Sequence, residues 1–295
     1  MSPTPSPTPM RVLIVGPGRV GTTLGAALAR SHRVIGAAGG SQASRERFAA
    51  RIAGARTAAD PADLVGAAQL VVLATPDDAL VPVVTDLVRV DALGPAHRVV
   101  HVSGAQGLAP LRRAELAGAR IAACHPAQTI PSPDTSPEML VGVPWAVTAG
   151  SQDRAWARCL VRDLGGDPHD VDDDVRPLYH AALVVGSNAA GAVTAVARQL
   201  LLAARVEDPA AFLRPLIQAS VTNVLRDGAA ALTGPVVRGD AGTVARHVEA
   251  LATDLPHLAD AYGHLTEVVL AQVRATLTDD QITALRAAVH REGPA

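Results

Sequence analysis

Residues 12–21 have the sequence Val-Leu-Ile-Val-Gly-Pro-Gly-Arg-Val-Gly. The four apolar residues at its start favour a buried strand, and the last six residues fit the pattern Gly-x-Gly-x-x-Gly. An alanine- and leucine-rich stretch follows at once and favours a helix. In this strand-turn-helix context, the glycine pattern binds the pyrophosphate of a dinucleotide.

The residues of this turn have separate expected roles. Gly16 allows a tight turn, Gly18 lets the backbone approach a phosphate, and Gly21 lets the helix pack close to the strand. Arg19 and Val20 lie between them, at the start of a helix whose unpaired N–H groups face the phosphates. We therefore expect these five residues to bind the nucleotide.

The composition limits the other functions. The 295 residues predict about two domains, and the net charge of −2 with only two each of Trp, Tyr and Phe argues against nucleic acid as a partner. We expect no membrane span, because no apolar run approaches the roughly 18–20 residues that one needs. The two cysteines predict neither a disulfide framework nor a zinc site, so no metal is expected. All 26 basic residues are arginine, which excludes lysine chemistry.

The chain changes character along its length. Residues 1–9, rich in Ser-Pro and Thr-Pro pairs, predict a disordered tail without the apolar segment of a secretory signal, so we expect a cytoplasmic protein. Short apolar strands then alternate with helices, which predicts a Rossmann-type, mostly parallel sheet over residues 10–150. From about residue 175 every segment favours a helix. We therefore predict an α/β fold with an all-helical second domain over residues 151–295.

The end of the second strand favours NADP over NAD. No acidic residue stands where NAD-binding folds place one against the ribose hydroxyls. Ser41 and Arg45 follow instead, and they are expected to hold a 2′-phosphate. The alternative is a helix over 45–53 that Ser44 caps, with Arg47 on a solvated face.

Three motifs follow later strands, at the edge of the sheet where ligands bind in such folds. Thr75 and Pro76 are expected to border the cofactor ribose, although a strand end followed by an aspartate helix cap explains them equally well. Ser103 is a candidate to hydrogen-bond a substrate carbonyl or carboxylate. His125 is either a substrate ligand or a loop anchor.

The second domain contributes a polar pair to an apolar helix. His180, Val184 and Asn188 are four residues apart, so in a regular α-helix they share one face. Buried polar side chains need partners. His180 and Asn188 therefore point either to a substrate site or to a satisfied helical core, including one at a subunit contact.

Together these motifs resemble a two-domain oxidoreductase family described as Rossmann-like plus domain of unknown function 2520 (DUF2520), related to ketopantoate reductases and pyrroline-5-carboxylate reductases. The resemblance covers most of residues 10–275, and its most specific block is 231–240, Ala-Leu-Thr-Gly-Pro-Val-Val-Arg-Gly-Asp. It implies a 6-phosphogluconate-dehydrogenase-like fold, NADP(H) as cofactor, a homodimer formed through the helical domain, and a site in the interdomain cleft.

Ketopantoate reductases carry Lys-x3-Asn-x3-Asn where this chain has His180, Val184 and Asn188. The resemblance therefore implies His180 as the proton donor, with Asn188 and Ser103 orienting the substrate. Arg238 is expected to pair with a substrate carboxylate and Thr233 to contact the substrate. For Arg238 the alternative is an ion pair with Asp240, which would also cap a helix.

The predicted activity is NADP-dependent hydride transfer to the carbonyl of a small 2-oxo acid, with ketopantoate as the leading candidate. Another 2-oxo acid or an imine remains an alternative substrate, and a deazaflavin an alternative cofactor. Val184, which replaces the middle asparagine of the ketopantoate reductase pattern, favours a further alternative: a non-catalytic NADP-binding regulator.

Overall fold

The computed structural model of the chain describes residues 9–289. It divides into two compact units, Met1–Val184 and Val185–Ala295. The tail predicted over residues 1–9 therefore lies outside the described residues, apart from Pro9.

The first unit is built on one eight-stranded sheet, and the predicted α/β fold is confirmed. Its strands are β1 (Arg11–Val15), β2 (Arg33–Ala38), β3 (Arg56–Ala58), β4 (Leu70–Leu73), β5 (Arg98–His101), β6 (Arg120–Pro126), β7 (Pro144–Thr148) and β8 (Asp167–Asp170). Their order across the sheet is β3-β2-β1-β4-β5-β6-β7-β8. Neighbouring strands pair in parallel except β6 and β7, which are antiparallel.

Helices cover both faces of this sheet. They are α1 (Arg19–Leu28), α2 (Gln42–Arg51), α3 (Ala62–Val65), α4 (Asp77–Arg89), α5 (Arg112–Leu116), α6 (Arg154–Asp163) and α7 (Arg176–Leu183). Because strand side chains alternate between faces, Ile14 lies in a core cluster with Leu24 of α1, and Leu13 lies in another with Leu80 of α4. Each of these fully buried side chains contributes about 1.5–3 kcal/mol to folding.

The first unit continues beyond residue 150, where the sequence analysis ended the first domain. Strand β8 pairs in parallel with β7, and α6 connects the two strands and packs against the sheet. The first compact unit ends at Val184. The sequence of β8, Asp-Pro-His-Asp, has no apolar alternation, because backbone pairing rather than a buried side-chain face holds this edge strand.

The second unit is helical in all its described elements, as predicted. It contains α8 (Ala190–Ala203), α9 (Pro209–Asp227), α10 (Ala241–Asp254), α11 (Ala259–Val273) and α12 (Asp279–Val289). The last three share a core that includes Val244, Leu270 and Leu285. Helices α8 and α9 pack against each other, yet α8 has no buried residue and α9 buries only Pro209.

The long helix predicted from residue 176 departs from expectation in two ways. Val184–Ala189 is π-helical, with i→i+5 hydrogen bonds.

Within residues 9–289, one continuous helical stretch, Arg176–Ala203, is also long and apolar enough to cross a membrane by length and composition alone. The expectation of no such stretch is therefore not met, although a single stretch of this kind is weak evidence for a membrane span.

Candidate functional site at the carboxyl edge of the sheet

The carboxyl ends of four parallel strands in the first unit bring most of the predicted residues to one edge. Gly16 follows β1, Thr75 follows β4, Ser103 follows β5, and His125 lies near the end of β6. Because β1, β4, β5 and β6 are consecutive neighbours in the sheet, these residues lie along one edge.

The glycine turn has the geometry that its sequence predicts. Gly16 has φ +90°, and a Cβ there would lie 2.7 Å from the carbonyl oxygen of Ala74 at the end of β4. At Gly18 a Cβ would meet nothing within 4 Å, so the space beside the backbone is open. A Cβ at Gly21 would clash with the carbonyl oxygen of Gly16, so the close packing of helix and strand requires glycine at this position.

The start of α1 suits an anion. Its N-cap is Gly18, no side chain caps it, and its first turn contains no acidic residue. The exposed Arg19 begins the helix, and Val20 is half-buried beneath the turn. The backbone N–H groups and the positive end of the helix dipole therefore face solvent, where a phosphate is favoured.

The stretch after β2 lies beside this turn. Ser41, not Ser44, caps α2: its side-chain oxygen accepts a hydrogen bond from the backbone N–H of Ser44 at 3.2 Å. Arg45 donates to the carbonyls of Gly39 and Gly40, the latter at 2.6 Å. A guanidinium has five N–H donors, so Arg45 keeps donors available for a phosphate. Arg47 is exposed, as the alternative interpretation expected.

The end of β4 contacts the glycine turn directly. A Cβ on Gly16 would also lie 3.0 Å from the backbone nitrogen of Thr75. Among the described residues the buried hydroxyl of Thr75 has no hydrogen-bond partner. Pro76 is the N-cap residue of α4 and supplies no side-chain cap, so the acids that follow, Asp77 and Asp78, belong to the first helical turn.

Asp77 contacts Ser103, a contact that the sequence analysis did not predict. The Ser103 hydroxyl donates to Asp77 Oδ2 at 2.8 Å and accepts from the backbone N–H of Gln106 at 3.0 Å. A hydroxyl has one proton to donate and two lone pairs. Ser103 therefore keeps one lone pair for a ligand, while its proton is engaged by Asp77.

His101 holds the loop that carries Ser103. Its Nδ1 accepts from the backbone N–H of Ser103 at 3.2 Å, so its proton sits on Nε2, which donates to the carbonyl of Gly107 at 2.7 Å. The ring is buried, and desolvation above all lowers the pKa of His101 to about 4. This imidazole is therefore neutral near pH 7.

Arg176 is the most deeply buried charged residue of the site. All five of its N–H donors are used. They reach the hydroxyl of Thr148 and the carbonyls of Ser103, Gly104, Ala123 and Ala146, at 2.7–3.4 Å. Burial lowers the pKa of this guanidinium, yet arginine remains ionised in proteins. Arg176 thus ties α7 to β6, β7 and the Ser103 loop and places a fixed positive charge beneath them.

Two imidazoles converge on Gly104. A Cβ there would clash with His180 Cδ2 and would lie 3.0 Å from His125 Nε2. The two rings are perpendicular, with centroids 5.9 Å apart. On its other side, Nδ1 of His125 lies 3.0 Å from the hydroxyl of Tyr179. The structure therefore brings His125, His180 and the Ser103–Gly104 segment together, with Tyr179 behind His125.

The remaining predicted residues lie in the second unit. Asn188 is exposed within the π-helical segment, where the i→i+5 register breaks the α-helical spacing assumed for His180, Val184 and Asn188. Thr233 and Arg238 are also exposed.

Asp240 caps α10 by accepting from the backbone N–H and the hydroxyl of Thr243, which holds its pKa below the usual value. Among the described residues no ion pair joins Asp240 to Arg238. The helix-cap part of the alternative interpretation is therefore met, and the ion-pair part is not.

Three residues that complete this site were missed in the sequence: His101, Arg176 and Tyr179. His101 ends a strand and Tyr179 precedes His180, so both had a positional signal. Arg176 had none, because its five acceptors come from three separate segments of the chain. Within residues 9–289, no group of three or more His, Cys, Asp or Glu side chains is arranged to hold a metal ion.

Family models match both parts of the chain. Residues 4–126 match a Rossmann-like domain, and residues 143–269 match a domain of unknown function, DUF2520. The chain is therefore a two-domain protein that combines a Rossmann-like domain with a DUF2520 domain. No curated protein matches its sequence.

Several solved structures share the fold. BF3122 of Bacteroides fragilis, provisionally described as an NADP oxidoreductase, is 22% identical with a TM-score of 0.75, over 88% of this chain and 98% of its own. An imine reductase from Myxococcus stipitatus in complex with NADP+ is 18% identical with a TM-score of 0.67, over 90% and 94%. A reductive aminase from Aspergillus terreus, with NADPH and ethyl-5-oxohexanoate, is 18% identical with a TM-score of 0.56, over 96% and 93%. Identities this low establish a shared fold and no more.

Proposed function

We propose that this protein is an NADP(H)-dependent reductase that transfers a hydride to the carbonyl carbon of a small 2-oxo acid, ketopantoate being the first candidate. The observation that carries the proposal is the convergence of His125 and His180 on Gly104, at the edge of the sheet that also carries the glycine turn. A proton donor, a second polar side chain beside it and a phosphate-binding turn at one edge are what such a reaction requires.

The residues present fit NADP(H). The open space at Gly18 and the uncapped start of α1 suit the pyrophosphate, and Ser41 and Arg45 lie where a 2′-phosphate would be held. Thr75 borders the same turn, and Pro76 follows it as the N-cap residue of α4. When bound, the reduced cofactor supplies the hydride. Two of the similar structures contain NADP+ or NADPH, which supports this cofactor over a deazaflavin.

His180 is the proposed proton donor. Hydride addition to a carbonyl carbon leaves negative charge on the oxygen, which must then receive a proton. The His180 imidazolium gives that proton to the oxygen and becomes neutral. His180 suits this role because its ring lies against the Gly104 segment. Among the described residues it also forms no hydrogen bond that would engage its ring N–H groups.

The fixed charge of Arg176 favours a carbonyl over a cationic iminium. Its guanidinium donates to the carbonyls of Ser103 and Gly104, and among the described residues all five of its N–H groups go to neutral acceptors. A buried positive charge stabilises an oxygen that becomes negative and opposes a substrate nitrogen that is already positive. Because all the donors of Arg176 are used, this residue is not available to bind a substrate carboxylate.

An imine is the second candidate substrate, because an imine reductase and a reductive aminase are among the proteins of similar fold. The test is oxidation of NADPH by the full-length protein with ketopantoate, and separately with 1-pyrroline-5-carboxylate, with NADH in parallel. We expect oxidation with ketopantoate and NADPH. Turnover of the imine alone would overturn the carbonyl assignment. Binding of NADPH with no turnover of either compound would favour a non-catalytic regulator.

We also propose that the protein forms a homodimer through α8 and α9. Phe212 and Leu216 of α9 are 63% and 64% exposed, and α8 buries none of its side chains. Apolar surface of this extent on neighbouring helices is typical of an interface. Light scattering should give twice the chain mass, and the Phe212→Glu, Leu216→Glu double variant should give a single chain. Val268→Glu, at an exposed apolar position of α11, is the matched control and should stay dimeric.

A further inference from the structure

The two nitrogens of the His125 ring have different surroundings. Nδ1 lies 3.0 Å from the Tyr179 hydroxyl, and the two rings meet edge to face with centroids 5.8 Å apart. Nε2 points toward the Gly104 segment and has no partner among the described residues. This nitrogen is not fully shielded from solvent, so a ligand at this edge can reach it.

The charges around His125 oppose its protonation. Burial disfavours an imidazolium here, and so does the fixed positive charge of Arg176. His180 and His101 also face the ring, and each would oppose a charge on it whenever that neighbour is itself protonated. Together they lower the pKa of His125 to about 4, with burial the largest cause. At neutral pH this ring therefore has one proton on one nitrogen, and it cannot serve as a cationic acid.

The Tyr179 hydroxyl decides which nitrogen has the proton. Burial raises the pKa of this phenol, so it stays protonated and needs an acceptor. The acceptor within reach is Nδ1, since an unprotonated imidazole nitrogen accepts a hydrogen bond readily. If Nδ1 accepts, the proton of His125 must be on Nε2, on the side that faces Gly104.

We propose that His125 is a neutral hydrogen-bond donor in the reaction, whose Nε2–H binds the carbonyl oxygen of the substrate, and that Tyr179 is a positioning residue that fixes this tautomer. The proposal rests on the proposed function and narrows its substrate class to carbonyl compounds. The N–H bond is aimed at an oxygen that gains negative charge and is kept intact throughout, while the proton that completes the alcohol comes from His180. An imine accepts a hydride most readily as its protonated iminium form, and an iminium nitrogen has no lone pair to accept such a bond.

The first measurement needs no substrate. Long-range proton–nitrogen spectra of the full chain labelled with ¹⁵N-histidine report which ring nitrogen is protonated, and His125→Gln identifies the signals. We expect His125 to be neutral with its proton on Nε2 from pH 8 to pH 5. A proton on Nδ1, or titration near pH 6.5, would overturn the proposal whether or not the protein is a reductase.

The second measurement tests whether the tautomer of His125 affects the rate of turnover. In Tyr179→Phe, the His125 signals should move toward a mixture of tautomers, and kcat with ketopantoate should fall about tenfold, the worth of one hydrogen bond, with KM nearly unchanged. The chain offers a matched control: the Tyr262 hydroxyl lies 2.7 Å from His247 Nδ1 with nearly the same ring geometry, on the second unit. Tyr262→Phe should change the His247 signals and leave kcat unchanged.

The outcomes separate the two hypotheses. Unchanged kcat in Tyr179→Phe, in an enzyme that turns over ketopantoate, would overturn the donor role while the proposed function stands. Absence of turnover in the wild-type protein would overturn the proposed function, and with it the donor role, even where the tautomer is as expected.

Discussion

The hydroxyl of Ser103 donates to Asp77 Oδ2 at 2.8 Å, which joins the loop after β5 to the first turn of α4. This bond orients a side chain that the sequence had suggested as a free substrate ligand. It leaves Ser103 with a lone pair, and no proton, to offer a ligand.

Replacing either partner tests that arrangement. Ser103→Ala removes the bonds to Asp77 and to the backbone of Gln106, so we expect a loss of about 1–2 kcal/mol in the free energy of unfolding and a lower kcat/KM. Asp77→Asn keeps an acceptor oxygen and should preserve most of both. Urea unfolding and NADPH oxidation are the measurements. Equal loss in the two variants would mean that the hydrogen bond needs a charged acceptor and that a neutral acceptor oxygen does not replace it.

Arg176 should be a major determinant of stability. Arg176→Gln leaves several buried carbonyls without their donor, each of which costs about 1–3 kcal/mol, offset in part by the removal of a buried charge. We expect a net loss of about 2–4 kcal/mol in urea unfolding. Arg158→Gln breaks a partly exposed ion pair with Asp170 in the same unit and should cost less than about 1 kcal/mol. Similar losses in both variants would show that the guanidinium network is not an anchor.

Acid should destabilise the protein through its buried histidines. The folded-state pKa of His101 is about 4, below the ordinary value of 6.5, so between these values the unfolded chain binds more protons than the folded one. The contribution of His101 to the free energy of unfolding should therefore be complete above pH 6.5. It should fall by about 3 kcal/mol as the pH drops toward 4. The urea midpoint measured from pH 7 to pH 4.5 checks this, and His101→Gln should show a shallower slope. An equal slope in the variant would exclude His101 as the cause.

Cofactor preference should depend on Arg45. Arg45→Gln removes the cation proposed to bind the 2′-phosphate, so the dissociation constant for NADPH should rise about tenfold while that for NADH is unchanged. Arg47→Gln is the matched control, because Arg47 is exposed on the same helix, and it should leave both constants unchanged. Fluorescence titration measures them. A parallel loss for NADH in Arg45→Gln would mean that Arg45 only supports the loop formed by Gly39 and Gly40.

How far the sequence predicts this structure depends on whether a feature is local. The glycine turn is encoded within ten consecutive residues, and both its strand and its helix are where the pattern predicts them. The π-helical segment is not predictable from apolar spacing, because Val184–Ala189 has the sequence Val-Val-Gly-Ser-Asn-Ala and buries no residue, so no apolar period distinguishes the two helical registers.

The candidate site was only partly predictable for the same reason. Ser103, His125 and His180 each had a local signal, as a strand end or a polar residue in an apolar helix. Arg176 and the Tyr179–His125 contact depend on segments up to 73 residues apart in the chain, which meet only once the sheet has formed.

The most direct test of carbonyl reduction at this edge is NADPH oxidation with ketopantoate by the wild-type protein and by His180→Ala. We expect measurable turnover in the wild type and a fall of about 10²–10⁴ in the variant, the usual worth of a positioned proton donor. Far-ultraviolet circular dichroism confirms that the variant is folded. Equal rates in the two proteins, or no oxidation by the wild type with this or any other 2-oxo acid, would contradict the proposed function.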